Sequence, residues 1–127
     1  MILKEEKKIS GKAVASSKVK FILDDILKAT SGKVIKNKKP IFIKGISTDT
    51  RSIKKEDLFI AIKGDNFDGH SFLIEAEKKD ALALIVENYL SKNLPNDINV
   101  PVISVRNSIR ALGDLAEFNR KRFKQEW

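Results

Sequence analysis

"DLFIAIKGDNFDGHSFLIEAEKKDALALIVE", residues 57–87, reads as a strand, a polar loop, a helix and a second strand. Leu58 to Ile62 is apolar at every position rather than at every second one, the pattern of a strand covered on both faces. From Ser71 the period lengthens. Phe72, Ala76 and Lys79 line up beside Leu73 and Glu77 at helical spacing, and "ALALIV" then resumes as another fully apolar run. A strand, a helix and a strand within about thirty residues make a βαβ unit. The fold class expected is therefore α/β, a single domain with a mixed β-sheet packed by helices.

Upstream, "KFILDDILKATSGKV" sets Ile22, Leu23, Ile26, Leu27 and Thr30 at helical spacing, after a brief strand over residues 19–22 and before Gly32 as a C-terminal stop. "KVIK" and "PIFIKGIS" are short β-rich runs, and the polar turn "RSIKKE" separates them from the strand at Leu58. Downstream, "VPVISV" is one more strand. Asn107 or Ser108 caps a final helix with Ile109, Leu112, Leu115, Ala116 and Phe123 as its apolar stripe. Between the last two strands, Tyr89 and Leu90 suit one helical turn before Pro95 and Asn96 open a loop.

Composition narrows the class. At 127 residues the chain has the size of one domain, and no apolar run approaches the ~20 residues of a membrane span. Residues 1–20 also lack the apolar core of a signal peptide, so a cytoplasmic location and no membrane partner are expected. The absence of cysteine excludes disulfides and thiolate metal sites. The formal charge of +8 is concentrated at one end: residues 1–40 hold eleven Lys and four acids, whereas residues 41–127 are close to balance. "KKISGKAVASSKVK" has neither aromatic residues for base stacking nor Arg for bidentate base contacts. Residues 1–17 therefore read as a solvated and partly disordered basic leader, ahead of one domain over residues 18–124. No specific nucleic-acid partner is expected, RNA binding by the leader being the remote alternative.

Recognition falls to "STDTR", residues 47–51, and "GDNFDGH", residues 64–70. The second leaves the C-terminal end of an interior strand and enters a helix, the usual ligand-binding edge of an open α/β sheet. Gly64 and Gly69 permit tight turns, backbone N–H groups at the helix start favour an anion, Asn66 offers a donor and an acceptor to a pyrimidine edge, and Phe67 can stack on a ring. A plain turn accounts for the same composition. In "STDTR", strand alternation would put Thr48 and Thr50 on one face, with Asp49 and Arg51 on the other tying down the turn. A calcium loop fails because Gly64 occupies the first ligand position. His70 beside Asp68 or Asp49 lacks a nucleophile, and neither "SGK" tripeptide has the flanking residues of a phosphate loop. No catalytic residue and no metal site is assigned.

These two motifs, with Ala76 and "DALALIVE", resemble the N-terminal domain of the Mur ligases of peptidoglycan synthesis from about Val19 to Phe123. The resemblance implies a domain that holds the UDP moiety of UDP-N-acetylmuramoyl-tripeptide, with uridine contacts at Thr48, Thr50, Asp65, Asn66 and Phe67. Asp49, Arg51, Gly64, Asp68, Gly69 and His70 would support the turns. Within the family, "GDNFDGHSF" is closest to members that add D-alanyl-D-alanine. Members that add the third peptide residue, and a stand-alone α/β interaction module without ligand, are the alternatives. The resemblance further implies central and C-terminal domains as partners in the same parent chain, absent from residues 1–127. ATP and magnesium would serve that parent, and no cofactor this segment. It would also place a strand and a Gly-Lys-Ser/Thr loop within about thirty residues after Trp127, the scale of one strand-loop-helix unit. One departure stands out: where many relatives have glycine in the turn before "DLF", this chain has Glu56.

Overall fold

The computed structural model describes residues 20–88 and 94–125. The leader, the turn expected at Tyr89 and Leu90, and the side chain of Phe123 lie outside the described residues. Four parallel strands form the body of the sheet: β4 (Gly45–Ser47), β5 (Asp57–Ile60), β6 (Ala83–Glu87) and β7 (Val102–Val105). The strand β2 (Lys33–Lys36) closes one edge antiparallel to β7, giving the order β2-β7-β6-β5-β4. β1 (Phe21–Ile22) and β3 (Phe42–Ile43) pair as a separate antiparallel ribbon. "PIFIKGIS" is therefore two strands in two sheets, with Lys44 between them donating its N–H to the Glu56 carbonyl at 3.0 Å.

The unbroken apolar runs have the burial expected of them. Leu58, Phe59 and Ile60 are fully buried, as are Ala83 to Val86. Because side chains alternate along a strand, Leu58, Ile60, Ala83 and Ile85 face one layer and Phe59, Leu84 and Val86 the other. The first layer is α1 (Leu23–Thr30) with α3 (Ser108–Gln125); the second is α2 (Leu73–Lys78) with Ile98. β5, α2 and β6 are the expected βαβ unit.

Asn107 caps α3, its side-chain oxygen accepting from Arg110 N–H at 2.8 Å. The buried stripe runs through Ser108, Ala111 and Leu115, with Leu112 and Phe118 partly covered, whereas Ile109 is 62% exposed and Ala116 faces solvent. The expected stripe was thus rotated by about one position, because the cap fixes the helix phase and Ser108, although polar, takes an inward place. Arg122 ends this face with its guanidinium over Phe21 and Phe118, at 5.3 and 5.4 Å from the ring centroids, and donates to the Lys20 carbonyl. Arg122 also reaches Asp25 at the N-terminal end of α1, at 3.4 Å, where the Asp25 carboxylate accepts the Ile22 N–H at 3.0 Å.

Among the described residues, left-handed backbone falls on Ser31, Asn37, Glu56 and Asp80 and on no glycine. Ser31, not Gly32, ends α1; Gly32 is needed because a Cβ there would meet Ile103 Cγ2 at 2.8 Å and the Ser104 carbonyl at 3.1 Å. Glu56, at φ 71°, makes the bend before β5 without glycine and gives its N–H to the Asp80 carbonyl at 3.2 Å. Asp80 itself closes α2: its N–H bonds to the Glu77 carbonyl at 3.0 Å and the Ala81 N–H to the Ala76 carbonyl at 3.1 Å, the paired bonds of a Schellman end. Since φ is 74° there, Asp80→Gly is expected to stabilise the chain by about 0.5–1 kcal/mol. Chemical denaturation checks it: a midpoint unchanged or lowered at constant m-value would mean that Asp80 is not strained.

The edge strand β2 holds the 95–100 loop. Lys36 Nζ donates to the Pro95 and Asn96 carbonyls, both at 3.0 Å, and Asn37 Nδ2 to those of Ile98 and Val100, at 2.7 and 3.1 Å. Among the described residues no helix is long and apolar enough to cross a membrane.

Candidate functional site

The two sequence motifs meet at the C-terminal ends of the adjacent parallel strands β4 and β5. Between them lies an open cavity of ≈ 320 Å³ lined by Thr48, Asp49, Arg51, Ile62 and Phe67. Its size is at the lower end of the range for small-molecule sites.

One wall is a turn, not a strand. β4 stops at Ser47 and residues 50–52 form a 3₁₀ turn, so alternation does not place Thr48 and Thr50 together. Thr50 is buried and lies outside the lining, whereas Thr48 lines the cavity beside Asp49 and Arg51. The reversal comes from local hydrogen bonds. The Asp49 carboxylate accepts Arg51 N–H at 2.9 Å, and the Ser47 hydroxyl lies 2.8 Å from the Asp49 carbonyl and 2.9 Å from Ser52 Oγ. Arg51 then folds back on Asp49 through Nε, at 3.1 and 3.2 Å, and through Nη2 at 2.7 Å. The Arg51 side-chain and backbone hydrogen bonds hold the Asp49 carboxyl down at about 2. The pair therefore stays ionised throughout neutral pH. Asp49 favours the folded state above its ordinary value of 3.8, and that contribution is lost as pH falls toward about 2.

The other wall is a small hairpin. Lys63 and Asp68 form an antiparallel bridge, and Gly64 N–H donates to the Phe67 carbonyl at 2.6 Å. Asp65 and Asn66 occupy its exposed tip. Phe67 faces the cavity and stacks on Phe72 with ring centroids 5.5 Å apart at 14°, which leaves 48% of it exposed. Gly69 allows the returning strand to touch β5's continuation: its N–H bonds to the Ile62 carbonyl at 2.8 Å, and a Cβ would lie 2.9 Å from Ile62 N. Neither Gly64 nor Gly69 uses a left-handed conformation, so close approach, and only at Gly69, replaces conformational freedom as the reason for glycine.

The N–H groups at the start of the following turn are already engaged. Asp68 Oδ1 accepts His70 N–H at 2.9 Å, and the Asp68 carbonyl accepts Ser71 N–H at 3.1 Å. The expected anion cradle is therefore filled by a side chain of the loop itself. Burial pushes the Asp68 carboxyl up, but the His70 backbone and ring hydrogen bonds outweigh it and leave it lowered. His70 Nδ1 lies 2.8 Å from Asp68 Oδ1, and Nε2 accepts the Glu87 N–H at 3.0 Å. A backbone N–H can only donate, so the proton must sit on Nδ1. His70 is a clasp between the loop and the end of β6.

Ile62 was not among the sequence candidates. Its signal was position alone, the last apolar residue before the glycine loop. Asp49 and Arg51, expected only as turn supports, also face the cavity.

The model of the Mur ligase family, catalytic domain, matches residues 42–120, from β3 through most of α3. The chain belongs to the Mur ligase family. The UDP-N-acetylmuramoyl-L-alanyl-D-glutamate--2,6-diaminopimelate ligase of Aquifex aeolicus is 45% identical over 74 residues, 58% of this chain and 14% of that Mur ligase. The UDP-N-acetylmuramoyl-tripeptide--D-alanyl-D-alanine ligase of Buchnera aphidicola is 44% identical over 80 residues, 63% of this chain and 16% of the relative. A crystal structure of MurF from Acinetobacter baumannii superposes with a TM-score of 0.69 at 29% identity, over 84% of this chain and 22% of that one. The chain thus spans only about a seventh to a fifth of the Mur ligases it matches.

Proposed function

We propose that this segment holds the UDP moiety of UDP-N-acetylmuramoyl-tripeptide for a cytoplasmic Mur ligase that adds D-alanyl-D-alanine in peptidoglycan precursor synthesis. The observation that carries the reading is the cavity between the 47–52 turn and the 63–68 hairpin, at the ligand-binding edge of the sheet. Phe67, backed by Phe72, offers a ring face to uracil, Thr48 a hydroxyl, and Asn66 at the tip an amide for the imide edge. Thr50 shapes the turn from beneath, and Asp65 flanks Asn66. Arg51, whose side chain is 87% exposed and whose guanidinium is engaged by Asp49 through Nε and Nη2, keeps Nη1 for a diphosphate oxygen. A holding role, not a chemical one, suits a site whose nearby His70 has both ring nitrogens hydrogen-bonded within the fold.

In the parent enzyme, central and C-terminal domains would supply ATP and magnesium chemistry: the peptide carboxylate would take the terminal phosphoryl group of ATP as an acyl phosphate, leaving ADP, and the incoming amine would form the amide bond at its carbonyl carbon with release of inorganic phosphate. The likeness to MurF structures supports D-alanyl-D-alanine as the added group. The 45% identity to a diaminopimelate-adding relative supports the second reading, addition of the third residue. Phosphate release by the full-length enzyme, supplied with each acceptor and its matching precursor, separates the two.

Titration of the labelled chain with UDP is expected to shift the amides of Thr48, Arg51, Ile62 and Asn66 to Phe67. Phe67→Ala should weaken binding by about 1–3 kcal/mol, the worth of one base–aromatic stack, and Asn66→Ala by about 0.5–1.5 kcal/mol. Both side chains are exposed, so neither change should unfold the chain. Shifts confined to residues 1–19 would mean simple charge attraction and remove the reading.

A further inference from the structure

The loop that carries Phe67 is tied to the long helix α3 through one continuous set of hydrogen bonds. Asp68 Oδ1 meets His70 Nδ1 at 2.8 Å, His70 Nε2 accepts Glu87 N–H at 3.0 Å, and Glu87 Oε1 accepts Ser108 N–H at 2.9 Å. The groups leave the C-terminal ends of three neighbouring strands, β5, β6 and β7. Each polarity in the series is fixed. The two backbone N–H groups can only donate, so Nε2 carries no proton and the Glu87 carboxylate must accept. Glu87 is the one residue that serves both ends, by its backbone toward the loop and by its side chain toward the helix. Its carboxylate also sits at the positive end of an 18-residue helix, where an anion is favoured. The neighbouring Ser108 Oγ is buried without a hydrogen-bond partner, so the hydroxyl does not share in the tie that the Ser108 N–H makes to Glu87.

We propose that Glu87 is a positioning residue of the candidate site: by pinning the end of β6 between His70 and the first turn of α3, it sets the placement of the Phe67 hairpin. Movement of α3 is thereby felt at the cavity, although neither Glu87 nor α3 lines it. The binding part of this statement rests on the UDP reading above; the positioning part does not.

The test uses the isotope-labelled 127-residue chain, with Glu87→Ala, Glu87→Asp, whose carboxylate is one methylene too short, and Glu87→Gln, which keeps the accepting oxygen. Ser108→Ala serves as a control that keeps the N–H. Without ligand, the Ala and Asp variants are expected to shift the amides of Asp65 to Phe67 and to change the His70 ring nitrogen signals from a single Nδ1–H tautomer toward an average. Gln and the Ser108 control should leave both near the parent. With UDP, the Ala and Asp variants should raise Kd about threefold to tenfold, within the range transmitted by packed, hydrogen-bonded networks. Changes limited to residues 106–111, with the hairpin and His70 unmoved, would overturn the proposal. If Glu87→Ala does not fold, the Asp variant decides by the same signals. A parent that does not bind UDP would remove the ligand reading, while the ligand-free signals would still decide the role of Glu87.

Discussion

Gly69→Ala is expected to lower stability by about 2–3 kcal/mol, equivalent to roughly 6–15 °C in the thermal midpoint. The added methyl would lie 2.9 Å from Ile62 N, 3.1 Å from Ala61 Cα and 3.3 Å from the Ile62 carbonyl. All three are backbone atoms of the chain leaving the interior strand β5, and backbone inside a packed sheet cannot move aside as a side-chain tip can. Relief would require breaking the Gly69 N–H bond to the Ile62 carbonyl, now 2.8 Å, and opening the base of the hairpin. Gly64, five residues earlier in the same loop, is the comparison. Its nearest neighbour to an added Cβ is the Phe67 carbonyl at 3.7 Å, and its φ is not left-handed. Gly64→Ala should therefore stay within about 1 kcal/mol of the parent, with a small gain from reduced freedom of the unfolded chain. Calorimetry on both variants is sufficient. Equal midpoints would show that close approach at Gly69 does not hold in solution.

His70→Ala is expected to cost about 2–4 kcal/mol, because it removes a nearly buried side chain and leaves the Glu87 N–H without its acceptor. The His70 side chain is only 8% exposed and is bonded at both ring nitrogens. His70→Gln carries a side-chain oxygen that can replace Nε2 as acceptor, so it should recover about half of the loss. Denaturant midpoints for the two variants, with the Glu87 amide as a local probe, provide the measurement. A loss below about 0.5 kcal/mol for the alanine variant would show that the clasp contributes nothing.

What the sequence determined by itself was the layering. Runs such as Leu58 to Ile62 and "ALALIV" are apolar at every position, and only a strand covered on both faces satisfies them; a helical period between such strands then requires a parallel βαβ unit. These are local periodicities, legible one segment at a time. The same reasoning put both motifs at the C-terminal edge of the parallel strands, and the structure brings them together there.

The tertiary structure alone decided which side chains face the cavity and why particular residues are required. Strand alternation paired Thr48 with Thr50, but Ser47 and Asp49 use their hydrogen bonds to turn the chain, which buries Thr50 and swings Asp49 and Arg51 onto the lining. Gly32 and Gly69 look like turn residues in sequence, yet each is required by a neighbour distant along the chain or across a loop, Ile103 for one and Ile62 for the other. The links His70 to Glu87 and Glu87 to Ser108 join residues 17 and 21 positions apart. No local pattern encodes such links, because periodicity reports which face of an element is apolar and carries no information on which strand end will lie beside it.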